Sequence, residues 1–334
     1  MNIFVYCVVG LLVSVVLTYI VREWAVHKSI LDHPNERSSH SIPTPRGGGV
    51  AIAATWFLAI TFLFFRGDID SALFFALLCG VPISVIGLVD DVVTISAKFR
   101  LIVQVASAAM ALVFLGGLQG INIGFVYLSL PILFSILAVI GIVWFTNLFN
   151  FLDGIDGYIS AEVIFIGFAF FLLFERVPPA LLATVTAGFL VWNWQPAKIF
   201  MGDVGSTLLG FTIGVFAVYY QNGGDSSILI WLMLTSLFWF DASLTLFRRW
   251  RNGETLSKAH KKHAYQRIVQ SGFSHQKTVI YSLLINLSIL GLVWLAIRYP
   301  SYSLLFLGIN IVYLYVVMKI IDRRFPFQIV KSEL

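Results

Sequence analysis

The sequence predicts an all-α integral membrane protein, a polytopic bundle of about 10–11 transmembrane helices. Three observations predict it: 59% of the 334 residues are hydrophobic, only 12% are charged, and the mean hydropathy is +0.89. A soluble domain carries about 25% charged residues, so these charges cannot cover a water-soluble surface. Cys7 and Cys79 both lie in apolar runs, which is typical of small core residues and not of a disulfide framework.

Apolar stretches long enough to cross a bilayer recur along the whole chain. A transmembrane helix needs about 20 apolar residues, and eleven stretches approach that length. The seventh is short and is interrupted by Asn193 and Gln195, so ten spans are the alternative. The first has neither a cleavage site nor a basic segment before it, which favours a retained helix over a signal peptide. The stretches cover residues 3–21, 47–65, 71–89, 101–118, 130–149, 158–175, 180–194, 206–221, 227–247, 278–297 and 302–321.

The distribution of Lys and Arg predicts the orientation, because cytoplasmic loops are enriched in both. With the N-terminus outside, 19 of the 22 Lys and Arg fall in the inward segments, and Arg66, Arg176 and Arg298 do not. The net charge of +5 then reflects topology and contact with anionic headgroups, and nucleic acid is not an expected partner. Residues 1–334 are predicted to form one transmembrane domain without a separate soluble domain. The inward segments are 22–46, 90–100, 150–157, 195–205, 248–277 and the tail from 319.

Acidic residues cluster at the inward ends of three spans. Asp90 and Asp91 end the third span, and Asp153 and Asp156 follow the fifth. Asp203 follows the seventh. Any one cluster is compatible with a solvated helix end, but acids at the rim of a bilayer are costly and indicate function. Converging carboxylates repel one another unless a cation neutralises them, and oxygen ligands favour a hard ion, Mg²⁺ or Mn²⁺.

Glycines and basic residues accompany these acids. Gly154 lies between two of the acids and leaves room for a ligand to approach the backbone. Arg46 precedes three consecutive glycines, a sequence that suits phosphate binding or tight packing, with a plain loop as the alternative. Lys98 and Arg100 follow the Asp90-Asp91 pair. Cations beside carboxylates are what a diphosphate needs, because its charge must be neutralised from several sides.

The inward loop 248–277 is rich in Lys and Arg, which would suit the same diphosphate, and it carries His260 and His263. Positive-inside topology alone would also account for its charge. The two histidines favour a phosphate contact over a zinc site, because no Cys or third His lies nearby in the sequence. Asp241, inside the ninth span, either pairs with Arg248 or Arg249 or faces the site.

Taken in order, these motifs resemble the polyprenyl-phosphate N-acetylhexosamine-1-phosphate transferase family along most of the chain. That family includes the enzymes that start O-antigen and teichoic acid synthesis and the phospho-MurNAc-pentapeptide translocase. The segments Arg37-Ser-Ser-His40 and His263-Ala-Tyr-Gln are most similar to the O-antigen-initiating branch. The matching segments are Pro43–Gly49, Asp90-Asp91 with Lys98, Arg100 and Gln104, Asn147–Gly157, Asn193–Ser206 and the His260–His263 loop.

The resemblance implies transfer of a sugar-1-phosphate from a UDP-sugar to undecaprenyl phosphate, with Mg²⁺ and with release of UMP. It implies a multi-pass protein of the bacterial inner membrane with a periplasmic N-terminus and a cytoplasmic active site, and it leaves a homodimer open. It implies that Asp203 and Asn150 are metal ligands and that Asp156 contacts the uracil. The catalytic set would be Asp90, Asp91, Lys98 and Arg100. Further substrate contacts would be Arg46, Asn147, Asp153, Gly154, Asn193, His260 and His263.

Three other classes compete with this interpretation. A cation- or proton-coupled transporter would also carry intramembrane acids, but near the midplane and not at one end of the spans. A polyprenyl synthase uses Asp-Asp-x-x-Asp, whereas residue Thr94 stands at the third acidic position here. A non-catalytic scaffold does not account for three acid clusters on one face. The sequence does not select the sugar: GlcNAc and 6-deoxy-hexosamine donors both remain open, as do direct and two-step mechanisms.

Overall fold

The computed structural model describes residues 3–32, 34, 42–93, 95–256, 258 and 260–327, and these residues form a helical bundle. Two small antiparallel hairpins accompany it, β1 (Leu31–Asp32) with β2 (Thr44–Pro45) and β3 (Ile121–Asn122) with β4 (Tyr127–Leu128). The predicted all-α class is confirmed. The helices are α1 Ile3–His27, α2 Gly49–Phe65, α3 Ser71–Leu78, α4 Gly80–Val92, α5 Ala97–Phe114, α6 Pro131–Leu152, α7 Tyr158–Phe174, α8 Val177–Asn193, α9 Gly202–Asn222, α10 Ile228–Leu234, α11 Ser236–Arg251, α12 Ala264–Gln270, α13 His275–Arg298 and α14 Ser303–Arg324, with a 3₁₀ turn at Pro300–Tyr302.

The helices account for the eleven predicted apolar stretches. Within the described residues, seven helical segments are long and apolar enough to cross a membrane, with α3 and α4 together forming one of them. The helices α10 and α11 form an eighth candidate that is bent by 75°. Three shorter apolar helices, α2, α7 and α8, supply the remaining stretches. The chain is therefore a multi-pass membrane protein.

Helix α9 is the centre of the bundle. Of the residues in its most apolar window, 83% are buried, against 22% in α1 and in α13. It packs against α6, α4 and α2. Helices in a membrane associate through close contact, because lipid supplies no hydrophobic force that would drive them together. Small residues allow this contact, since they let the two backbones approach each other. A Cβ atom on Gly49 would lie 2.2 Å from the backbone nitrogen of Gly205, so α2 and α9 touch through their backbones.

The two ends of the bundle gather different segments of the chain. At one end, the Tyr6 hydroxyl donates to Asp68 (2.7 Å), and Arg176 pairs with Asp225. Asp68, Arg176 and Asp225 lie between predicted spans, outside the inward segments, and Tyr6 lies near the N-terminus, which is predicted to face outward. Segments that are predicted to face inward meet one another at the opposite end. The segment Arg37-Ser-Ser-His40, which contributed to the resemblance, lies outside the described residues.

Candidate active site

Three aspartates and two arginines form one cluster at this second end of the bundle. Arg46 Nη2 lies 2.9 Å from Asp91 Oδ1 and 3.2 Å from Asp203 Oδ1. Arg100 Nη1 lies 2.7 Å from Asp90 Oδ2 and 3.0 Å from Asp203 Oδ2. The carboxylates are largely buried, whereas about a third of each arginine side chain is exposed. The two arginines are therefore the most accessible part of the cluster.

Helix ends bring these charges together. Asp90 and Asp91 lie in the last turn of α4, and Asp203 lies in the first turn of α9. The backbone N–H of Asp203 donates to Asp91 Oδ1 (3.1 Å), so the N-terminus of α9 stabilises the Asp91 carboxylate. Gly202 has φ +74°, and a Cβ atom there would lie 2.5 Å from Asp91 Oδ2. The Asp91 carboxylate therefore occupies the space that a side chain at position 202 would need, and the positive φ also favours glycine there.

The cluster carries an excess of negative charge, with three carboxylates to two guanidinium groups. Among the described residues, no three His, Cys, Asp or Glu side chains converge closely enough to surround a metal by themselves, because the arginines lie between the acids. Asp91 Oδ2 is nevertheless buried without a hydrogen-bond donor in the described part of the chain. An unsatisfied buried oxygen and surplus negative charge fit a hard cation.

Polar residues of α6 line the side of this cluster. Asn150 Nδ2 donates to Ser206 Oγ (3.2 Å), which places this predicted metal ligand against α9. Asn147 Nδ2 donates to Gln104 Oε1 (2.6 Å) on α5. Asn147, Asn150, Gln104, Arg100 and Asp203 line one small cavity together with Thr207. Gln104 was a match to the family without an assigned role, and Thr207 was not predicted. The packing of α5 and α9 against α6 brings both to this cavity.

The loop between α6 and α7 carries the second predicted acid pair. Ala197 N–H donates to Asp156 Oδ2 (3.2 Å), and the Asp156 N–H donates to Nδ1 of His275 (3.2 Å). Burial raises the pKa of Asp153 to about 7, and the negative charge of Asp203 adds to that rise. His275, at the start of α13, was missed because nothing in the sequence places that helix beside this loop.

Neighbouring segments hold this loop in place. Asn193 is buried, accepts from the Gly157 N–H (3.0 Å) and donates to the Ile199 carbonyl (3.0 Å). Both ends of its amide are thereby occupied by backbone. A Cβ atom on Gly154 would lie 2.3 Å from the Tyr265 hydroxyl oxygen, so α12 lies directly against the loop.

The predicted histidine contacts lie just before α12. His263 is 2% exposed, and its Nδ1 lies 3.7 Å from Asp241 Oδ1. Asp241 also accepts from the Ala264 N–H (3.0 Å), so it holds the start of α12 instead of pairing with Arg248 or Arg249. Burial, then the charges of His263 and Arg249, lower the pKa of His260 to about 3. Its imidazole is neutral at pH 7 and accepts the Lys262 N–H (3.2 Å) at Nδ1.

The structure thus brings most predicted site residues to one end of the bundle. Asp90, Asp91, Asp203, Arg46 and Arg100 contact one another directly. Asn147 and Asn150 lie beside them, and Asp153, Gly154, Asp156 and Asn193 belong to the adjoining loop. Lys98 is exposed in the first turn of α5, two residues before Arg100. The individual roles of all these residues stay predictions.

The fold and this site define a class: a polytopic membrane protein with a carboxylate–arginine cluster at one end of its helices. Residues 72–221 match the family model described as glycosyl transferase family 4. The chain is 30% identical over 300 residues to a Bacillus subtilis protein named as a probable undecaprenyl-phosphate N-acetylglucosaminyl 1-phosphate transferase, covering 84% of this chain and 80% of that protein. The chain therefore belongs to glycosyl transferase family 4.

Two further relatives agree with this assignment. Undecaprenyl-phosphate alpha-N-acetylglucosaminyl 1-phosphate transferase of Thermotoga maritima is 28% identical over 279 residues, which cover 83% of this chain and 86% of that protein. Decaprenyl-phosphate N-acetylglucosaminephosphotransferase of Mycobacterium leprae is 31% identical over 291 residues, covering 74% and 72%. The resemblance drawn from the motifs is confirmed, and nothing in these comparisons supports a transporter.

Proposed function

We propose that the protein transfers an N-acetylhexosamine 1-phosphate from a UDP-sugar to undecaprenyl phosphate and releases UMP. The observation that carries this proposal is the Asp90–Asp91–Asp203 cluster with Arg46 and Arg100 at one end of the bundle. The relatives named above act on polyprenyl phosphates, and the matched region 72–221 includes all three aspartates. An acceptor dissolved in the bilayer and a donor in water must meet at such a membrane face.

The residues have separate tasks in this reaction. An oxygen of the lipid phosphate attacks the β-phosphorus of the donor, the bond to the bridging oxygen breaks, and UMP leaves. Arg46 and Arg100 stabilise the negative charge that develops on the diphosphate. Asp90 and Asp91 orient these two guanidinium groups and position the acceptor phosphate. Such transfers need positioning and charge stabilisation more than covalent help from the protein.

We further propose Mg²⁺, or Mn²⁺ in its place, as the cofactor. Asp203 and the side-chain oxygen of Asn150 would hold it, with Asp91 Oδ2 beside them as a buried oxygen that lacks a donor. The ion would withdraw charge from the bridging oxygen of the donor. The surplus of one carboxylate over the two arginines supports this assignment.

The test is direct. Purified protein is incubated with undecaprenyl phosphate, Mg²⁺ and a panel of UDP-sugars that includes UDP-GlcNAc and UDP-6-deoxy-hexosamines, and released UMP is measured. We expect UMP only when lipid and one class of N-acetylated donor are both present. Absence of UMP with every donor would contradict the proposal, and the donor that gives UMP identifies the sugar.

Asp156→Ala is expected to weaken binding of the UDP-sugar. The carboxylate would accept the uracil N–H, and loss of a charge-assisted hydrogen bond costs roughly 1.5–3 kcal/mol, about one to two decades in affinity. We expect KM for the UDP-sugar to rise while KM for the lipid stays constant. Asp225→Ala, at the opposite end of the bundle, is the control. An unchanged KM for the donor with collapsed turnover would place Asp156 with the catalytic cluster instead.

We propose that the clustered end faces the cytoplasm of a bacterial inner membrane, with the N-terminus in the periplasm. In a variant without Cys7 and Cys79, a cysteine at exposed Ser271 should be labelled only from the cytoplasmic side. A cysteine at exposed Ser301 should be labelled only from the periplasmic side. These expectations follow from the distribution of Lys and Arg. The reverse pattern would show that the orientation is inverted.

A further inference from the structure

We propose that the C-terminal segment Asp322–Phe327 is a clasp that holds the basic loop in place for donor binding. The basic loop is the described part of the segment between α11 and α12, residues 252–256, 258 and 260–263. This inference rests on the proposed function, because it concerns how tightly the UDP-sugar binds. Asp322 and Phe327 are positioning residues here, since they act through the loop.

Asp322 joins the two helices that flank the basic loop. It accepts from Nη1 and Nη2 of Arg248 (3.0 and 2.7 Å), at the end of α11. It also accepts from Arg267 Nη1 (2.9 Å), in α12. Arg267 Nη1 donates in addition to the Phe325 carbonyl (2.6 Å). Two-point Arg–carboxylate pairing fixes geometry as well as charge, so one carboxylate on α14 sets the distance between α11 and α12.

Phe327 fills the space among three cations of the same region. Its ring centroid lies 5.4 Å from Cζ of Arg248, 5.5 Å from Nζ of Lys262 and 5.6 Å from Cζ of Arg267. Cations over an aromatic face are attracted by its quadrupole. The ring therefore binds α11, the basic loop and α12 at once, next to the carboxylate that joins two of them.

A second set of contacts gives the basic loop its internal shape. Arg249 is 2% exposed and donates from Nε to Glu254 (3.1 Å) and from Nη2 to the Thr255 carbonyl (2.7 Å). Lys262 Nζ donates to the other oxygen of Glu254 (2.7 Å). Several arginines and lysines that the sequence predicts as diphosphate contacts are thus engaged in ordering the loop. The clasp fixes an already shaped loop relative to the bundle.

The clasp connects to the predicted nucleotide loop through α12. Tyr265 packs against Gly154, and its ring stacks on Tyr158 with centroids 4.7 Å apart. Arg267, which Asp322 holds, lies two residues after Tyr265 on this short helix. Release of the clasp would therefore free α12 and the basic loop from the loop that carries Asp156, without touching the Asp90–Asp91–Asp203 cluster.

The experiment compares Asp322→Asn and Phe327→Ala with Arg324→Ala, an exposed neighbour on α14. We expect KM for the UDP-sugar to rise about tenfold in the first two variants, the order expected from loss of a charge-assisted hydrogen bond or of several cation–π contacts. KM for undecaprenyl phosphate and kcat should stay within about twofold of the wild type, because the catalytic cluster is intact. The thermal midpoint should change by only a few degrees. Arg324→Ala should match the wild type.

Hydrogen exchange provides a readout that does not depend on activity. Amides of the basic loop and of α12 should exchange faster in Asp322→Asn and Phe327→Ala than in Arg324→Ala, while those of α9 should not change. Unchanged exchange at the loop would overturn the clasp even if the protein released UMP. Faster exchange with an unchanged KM for the donor would overturn its role in donor binding. If the wild type releases no UMP while the variants differ in exchange as expected, the proposed function is contradicted and the contact between the clasp and the basic loop still stands.

Discussion

Asp203→Asn is expected to lower turnover by at least about 10³-fold, equivalent to roughly 4 kcal/mol in the barrier. The amide keeps the size of the side chain and one oxygen but removes the negative charge. In the structure that charge contacts both Arg46 and Arg100 and lies beside Asn150. Its loss would leave both arginines misaligned and would remove the anionic ligand proposed for Mg²⁺. Released UMP, measured at saturating donor and lipid, checks the expectation.

The control and a binding measurement make this result specific. Asp68→Asn removes a carboxylate at the opposite end of the bundle and should leave turnover near wild type. Asp90→Asn should also lose turnover yet retain more Mg²⁺-dependent binding of the UDP-sugar than Asp203→Asn, because its proposed task concerns the lipid phosphate. Near wild-type turnover in Asp203→Asn, or full activity of the wild type in EDTA, would show that the metal assignment is wrong.

Gly202→Ala is expected to lower turnover by roughly 10²-fold or more, the loss that follows from a displacement of about 1 Å at a reacting centre. The new Cβ atom would lie 2.5 Å from Asp91 Oδ2, so the Asp91 carboxylate would have to leave its position beside Arg46 and the N-terminus of α9. Backbone strain at φ +74° would add roughly 1–2 kcal/mol. Released UMP and the thermal midpoint are measured together.

Gly67→Ala is the matched control for this variant. Gly67 has the same φ of +74°, but nothing lies within 4 Å of a Cβ atom built there. Both substitutions therefore carry the backbone strain, and only Gly202→Ala collides with a carboxylate. We expect similar losses of thermal midpoint and a loss of turnover in Gly202→Ala alone. Equal turnover in the two variants would show that turnover does not depend on the position of the Asp91 carboxylate.

Two local properties of the sequence determined the membrane class and the location of the chemistry. The length and apolar character of each stretch predicted its helix, because a lipid environment requires every backbone group to bond within its own segment. The three acid clusters lie at span ends that the distribution of Lys and Arg assigns to the same side of the membrane, and this predicted a common face. The order of the motifs also predicted the family, which the relatives confirm.

Only the tertiary structure decided which charges pair with which. Arg46 and Asp203 are 157 residues apart, and their contact depends on how α9 packs against α2 and α4. The basic loop shows the same limit: composition indicated a diphosphate contact for its arginines, whereas the fold engages Arg248 with Asp322 and Arg249 with Glu254. A charged side chain interacts over a few ångströms in any direction, so its partner is set by packing between distant helices and not by local sequence.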